Sequence, residues 1–181
     1  QKVTIYDISK KLNISAATVS RALNDSNRVS LKTKELVLKT AKALNYQQNA
    51  LALALKSGRT FNVGVVVPYI NHTFFASVIR GIGEELEPKG YHVIICQSHE
   101  DVNNEAKQLK TLLNTHIDGI FISVSKTTED VKHIEEVRDE GIPLIFFDRK
   151  KDISGVSSVT INDYEGAYNA TTHLIEQGYK K

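Results

Sequence analysis

The chain of 181 residues is 41% hydrophobic with a formal charge of +2, which leaves room for a sizeable core in one or two domains. The charge is split: 11 basic and 3 acidic side chains lie up to Thr60, against 12 and 18 after it. No apolar run approaches the roughly 20 residues of a membrane span, and the N-terminus lacks the charged-then-apolar layout of a signal peptide, so a cytoplasmic protein without membrane partners is expected.

A basic module joined to an acidic one points to a polyanion-binding head on a body that does not itself seek phosphate, with a merely solvated basic face as the alternative. In chain order, Thr4 with Asp7 forms a capping box that opens a short helix, whose Ile5, Ile8 and Leu12 share one face. That helix is expected to stop near Asn13. Ile14 plugs the turn, and Ser15 caps a second helix, Ala16 to Leu23, with Val19 and Leu23 turned inward. Ser30 caps a third helix that buries Val37, Ala41 and Leu44 and ends at Asn45.

Between Asn49 and Leu55, alternating Leu and Ala fits a strand, while Leu51 and Leu55 also share a helical face. Seven residues do not sustain a helix alone. Lys56 to Thr60 reads as a basic linker, and a domain boundary is placed near Thr60.

Apolar runs then alternate with amphipathic helices. Strands are expected at Val63 to Val67, Val93 to Cys96, Ile120 to Val124, Leu144 to Phe147 and Val159 to Ile161. Helices are expected at Phe74 to Glu87, Glu105 to Leu113, Glu129 to Glu140 and Tyr164 to Gln177. Gly90, Gly141 and Gly178 sit just past three of the helices, where a left-handed residue is needed. The alternation implies a doubly wound parallel α/β sheet behind a small all-α helix-turn-helix head. Cys96, within an apolar run, reads as a buried, inert thiol.

The second helix exposes Ser15, Ala16, Ala17, Thr18, Ser20, Arg21 and Asn24 where a solvated helix would carry long charged residues. Small side chains let a backbone approach closely, hydroxyls reach phosphates, and one Arg grips a guanine edge with two prongs. Such a face suits the DNA major groove, and Thr4, Tyr6 and the basic third helix strengthen that reading over an ordinary helical hairpin.

These residues resemble the head of the lactose-repressor (LacI/GalR) family of bacterial transcription regulators: Val3-Thr4-Ile5-Tyr6-Asp7-Ile8, then Ser15 through Asn24, Val29-Ser30 and Leu44-Asn45-Tyr46, all in register. The resemblance implies that Ala16, Ala17 and Arg21 face bases, while Thr4, Ser15, Thr18, Ser20, Asn24, Ser30, Thr33 and Asn49 lie near the phosphate backbone. It also implies a hinge helix over Asn49 to Leu55, with Ala52 and a minor-groove wedge at Leu55, pairing with its mate in a homodimer. The family usually places proline before the hinge asparagine, and Gln48 stands there instead. The expected domains are the head at 1–48, hinge and linker at 49–60, the first lobe of a periplasmic-binding-protein-like sensor at 61–155, and the start of an incomplete second lobe at 156–181.

Ligands of open α/β sheets bind at the carboxyl ends of the strands. Those ends supply Tyr69, Asn71, His72, Phe74 and Phe75, then Gln97 and Ser98, Ser123 and Ser125, and Asp148 with Arg149. Aromatic rings beside amide, hydroxyl, carboxylate and guanidinium groups suit a sugar-like or nucleobase-like effector. The resemblance implies that such positions line the effector cleft, here Tyr69, Asn71, Phe74, Ser123, Asp148 and Arg149, of which Phe74, Ser123, Asp148 and Arg149 match the family's motifs best. No phosphate loop, dinucleotide fingerprint, nucleophile elbow or metal-ligand spacing occurs, so no enzyme activity, cofactor or metal is expected. The partners expected are pseudo-palindromic double-stranded operator DNA, a carbohydrate-like effector and a second copy of the chain. A sugar-binding α/β domain with an incidental basic head is the competing class.

Overall fold

The structure, a computed structural model, describes residues 3–48, 54 and 58–180, in two compact units that divide between Leu53 and Ala54.

The first unit holds α1 (Ile5–Leu12), α2 (Ala16–Leu23) and α3 (Leu31–Ala43). Each begins at a cap that satisfies an otherwise orphaned backbone donor. The Asp7 carboxylate accepts from the Thr4 N–H at 2.8 Å and from its hydroxyl at 2.7 Å. The Ser15 hydroxyl accepts from the Thr18 N–H at 3.1 Å, and that of Ser30 from the Thr33 N–H at 3.3 Å. Asn13 and Asn45, with φ of 52° and 53°, take the left-handed conformation that ends α1 and follows α3. Ile8, Val19, Ala22, Val37 and Ala41 form the buried centre, with Ile5, Leu12, Ile14, Leu23 and Leu44 packed around it.

The second unit is a five-stranded parallel sheet of order β2-β1-β3-β4-β5. Its strands are β1 (Asn62–Val67), β2 (His92–Gln97), β3 (Gly119–Ile122), β4 (Leu144–Phe147) and β5 (Ser157–Val159). Between and after them run α4 (Thr73–Leu86), α5 (Val102–Asn114), α6 (Lys132–Asp139) and α7 (Asp163–Glu176). Strand side chains alternate between faces: Val66, Ile120, Ile122 and Phe146 pack with Leu109 and Leu112 of α5 and Ile134 and Val137 of α6, whereas Val65, Val67, Phe121 and Phe147 pack with Phe75, Val78, Ile79 and Ile82 of α4. Helices on both faces make the sheet doubly wound. Gly64 permits the closest approach, since a Cβ there would lie 2.6 Å from Leu112 Cδ1. Gly90, Gly141 and Gly178 all have positive φ, as their places past helices require.

Four elements differ from expectation by two residues or more at an end. α5 begins at Val102 rather than Glu105, because the Asp101 side chain accepts from the Asn104 N–H at 2.7 Å and caps it. β3 ends at Ile122 rather than Val124, since the Ser125 N–H beyond it goes to the Glu105 carboxylate at 2.6 Å and not to a strand. α6 begins at Lys132 rather than Glu129, Thr128 being held back by Ser125 and Glu105. β5 spans Ser157–Val159 and pairs parallel with β4, matching Phe147 to Val159. β5 is thus the fifth strand of the same sheet. α7, after it, buries none of its residues.

Candidate nucleic-acid interface and effector cleft

On α2 the inward residues Val19 and Ala22 are fully buried, so the helix must turn its other face outward. Ala17 and Arg21 are exposed there, one turn apart, with Ala16, Thr18 and Ser20 partly exposed. Ser15 and Thr18 pair their hydroxyls at 2.9 Å, as do Ser30 and Thr33. These four hydroxyls thus cap α2 and α3 in the unbound chain. Asn24 closes α2, donating from Nδ2 to the Ser20 carbonyl at 2.7 Å. Tyr6, 69% exposed on α1, and Thr4 complete the face. Thr4 holds the Asp7 carboxyl below the usual carboxylate range, so that acid stays ionised within its cap. The hinge residues Asn49, Ala52 and Leu55 lie outside the described residues.

The loop after α2 is fixed by a contact that sequence periodicity does not reveal. Lys34, 9% exposed on α3, reaches back to the Asp25 carboxylate at 2.6 Å and the Asp25 carbonyl at 3.2 Å, while Asp25 holds φ of 52°. A buried lysine inside a basic helix looks like another solvated charge until its partner, nine residues away, is located.

In the second unit the strand order reverses direction between β1 and β3, which opens a crevice at their carboxyl ends. Tyr69 follows β1, its ring 6.0 Å from that of His72 and 5.6 Å from that of His99. Phe74, 51% exposed, meets Phe75 at 5.2 Å, and Phe75 meets Phe147 of β4 at 6.3 Å. Asn71 is exposed beside them. After β3, the buried Ser123 donates to the Asp148 carboxylate at 3.0 Å, and Asp148 sits at the end of β4 with φ of 61°. Arg149, at the mouth of the same crevice, binds Glu100 through both terminal nitrogens at 2.9 Å, and one of them also binds the Val124 carbonyl at 3.1 Å. Cavities of about 690 and 940 Å³ lie elsewhere, at the amino edge of the sheet and between α5 and α6. The crevice chemistry sits instead on an open wall. Among the described residues no group of three or more potential ligands is placed to hold a metal ion.

Residues 4–49 match the family model described as bacterial regulatory proteins, lacI family. Residues 60–181 match that of periplasmic binding proteins and the sugar binding domain of the LacI family. The chain belongs to the LacI family. Catabolite control protein A of Priestia megaterium is 34% identical over 178 residues, covering 98% of this chain and 53% of that protein. The lac repressor dimer bound to operator and the anti-inducer ONPF shares its fold at a TM-score of 0.84 and 23% identity, covering 100% of this chain and 55% of that one. A LacI family transcriptional regulator from Lactobacillus casei with bound sucrose matches at a TM-score of 0.57 and 27% identity, over 66% of this chain and 43% of that one. The chain spans about half the length of the curated relatives it matches.

What the LacI-family motifs do not reveal is the frame behind the crevice. Glu105 is fully buried, and besides Ser125 its carboxylate binds Thr128 Oγ1 at 2.9 Å and His133 Nε2 at 2.8 Å. Burial pushes its carboxyl up; the hydrogen bonds from His133, Ser125 and Thr128 outweigh this and leave it below the ordinary range. Glu100 accepts from the Lys126 N–H at 2.8 Å as well as from Arg149. Glu100 thereby ties the loop after β3 to the loops after β2 and β4, and Glu105 ties it to α5 and α6. An acidic residue on a helix that is otherwise amphipathic carries no sequence signal for this.

Proposed function

We propose that this chain is a sequence-specific DNA-binding transcription regulator, acting as a repressor, whose operator affinity is set by a small sugar or sugar derivative. The observation that carries the reading is the outward face of α2, with Ala17 and Arg21 on a helix whose caps and buried face hold it rigid. Ala16, Ala17 and Arg21 read bases in the major groove. Thr4, Tyr6, Ser15, Thr18, Ser20, Asn24, Ser30 and Thr33 lie along the backbone, and Asn49, Ala52 and Leu55 form the hinge contact to the minor groove.

The effector is held at the crevice by Tyr69, Asn71, Phe74, Ser123 and Asp148. Aromatic faces there cover the apolar side of a sugar ring, and the Ser123–Asp148 pair supplies hydroxyl-directed hydrogen bonding. Arg149 contributes by fixing the crevice loops through Glu100. The sucrose bound by the similar Lactobacillus casei regulator supports a carbohydrate. A regulator of this kind works in the cytoplasm as a homodimer on a pseudo-palindromic operator, because a two-fold assembly presents two equivalent heads. The test is a gel shift on duplexes selected from a randomised pool, repeated with a panel of sugars. Retention of one sequence class, with affinity altered by one sugar class, is expected; indiscriminate retention overturns the reading.

A further inference from the structure

At the amino edge of the sheet, opposite the crevice, the Asp118 carboxylate gathers the chain just before β1. It accepts from the Thr60 N–H at 2.8 Å and the Thr60 hydroxyl at 3.1 Å through one oxygen, and from the Phe61 N–H at 3.0 Å through the other. The single Thr60 hydroxyl proton is shared between Asp118 and the His116 carbonyl, which is the nearer acceptor at 2.8 Å. Phe61 takes a left-handed backbone, φ 57°, which an aromatic residue adopts only when its surroundings impose it. Its carbonyl accepts from the His92 N–H at 2.8 Å, and its ring lies 5.3 Å from that of Tyr91. Asp118 in turn donates its own N–H to the Asn62 carbonyl at 2.8 Å, so its backbone is tied to the start of β1. Only β3, Gly119–Ile122, separates Asp118 from Ser123.

We propose that Asp118 is a positioning residue: its carboxylate clamps Thr60 and Phe61 and so fixes the point and direction in which the linker leaves the α/β unit. None of these hydrogen bonds is needed to close the hydrophobic core, and a carboxylate is required because two backbone N–H groups and a hydroxyl converge on it. Asparagine offers one acceptor oxygen and turns two donors toward the remaining N–H.

The test is trypsin cleavage of the full chain at the Arg59–Thr60 bond. Arg59 is exposed, and the clamp holds the two residues that follow it. Asp118→Asn and Thr60→Val are expected to speed cleavage at this bond about ten-fold while rates at lysines of the α/β unit and its thermal transition stay unchanged. Thr60→Ser keeps the hydroxyl and the N–H and is expected to behave as the parent chain. Unchanged cleavage at Arg59 in a folded Asp118→Asn chain overturns the proposal, as does acceleration spread evenly over all sites, which marks general loosening. Neither readout uses DNA or sugar, so failure of the regulator reading shows separately, as absence of duplex binding by the parent chain.

Discussion

Arg149 and Glu100 face each other with both guanidinium terminal nitrogens 2.9 Å from the two carboxylate oxygens, across loops that follow different strands. Paired so, Arg149 holds the Glu100 carboxyl below its ordinary value of 4.5. Removing the arginine leaves a partly buried carboxylate without its partner. Arg149→Ala is expected to cost roughly 1–2 kcal/mol of stability, and Glu100→Gln to recover part of that in the double variant. Chemical denaturation of the four chains measures it; strictly additive losses would show that the pair is not coupled.

A carboxyl whose folded pKa is depressed contributes stability that is present above its unfolded pKa and lost as pH falls through the folded one. Glu100 and Glu105 are both depressed from 4.5. The α/β unit is therefore expected to hold its melting temperature from neutral pH down to about 4.5 and to lose it below. The Glu100→Gln, Arg149→Ala chain should show a shallower fall, by thermal melts at stepped pH.

Glu105 carries the heavier structural consequence. Glu105→Ala leaves the Ser125 N–H, Thr128 hydroxyl and His133 imidazole without their acceptor in a dry interior, and about 3 kcal/mol of destabilisation is expected. Hydrogen exchange should locate the loosening at residues 123–133 before it spreads. A variant as stable as the parent would mean that water replaces the carboxylate without cost.

The head was almost wholly legible in the sequence. Thr4, Ser15 and Ser30 announce helix starts, Asn13 and Asn45 announce ends, and the spacing of Ile8, Val19, Val37 and Ala41 locates the core, because short helices are governed by local capping and one buried face. Strand positions were legible from their apolar runs. Contacts between residues distant in sequence were not: Lys34 with Asp25, Glu105 with Ser125, Arg149 with Glu100 and Asp118 with Thr60 each join a charged residue to a partner that periodicity treats as solvated. That β5 joins the same sheet as β4 was not legible for the same reason, since strand order is a long-range property.

The basic residues up to Thr60 and the acidic excess after it also bear on binding. Duplex binding is expected to weaken steeply as salt rises from about 50 to 200 mM, through loss of counterion release. Lys39→Ala should lower affinity slightly and equally for all sequences and flatten the salt slope by about one unit. A fluorescence anisotropy titration across salt concentrations checks both, and a flat salt profile would remove the polyanion-binding role from the head.

Selection from randomised duplexes with the parent chain and with Arg21→Ala decides whether α2 reads DNA sequence. The parent chain is expected to enrich a two-fold symmetric site. Arg21→Ala should still bind, ~1–3 kcal/mol more weakly, while losing preference at one position in each half-site and keeping it at the others. Identical enriched sequences from the two chains would contradict the assignment of α2 as the recognition helix.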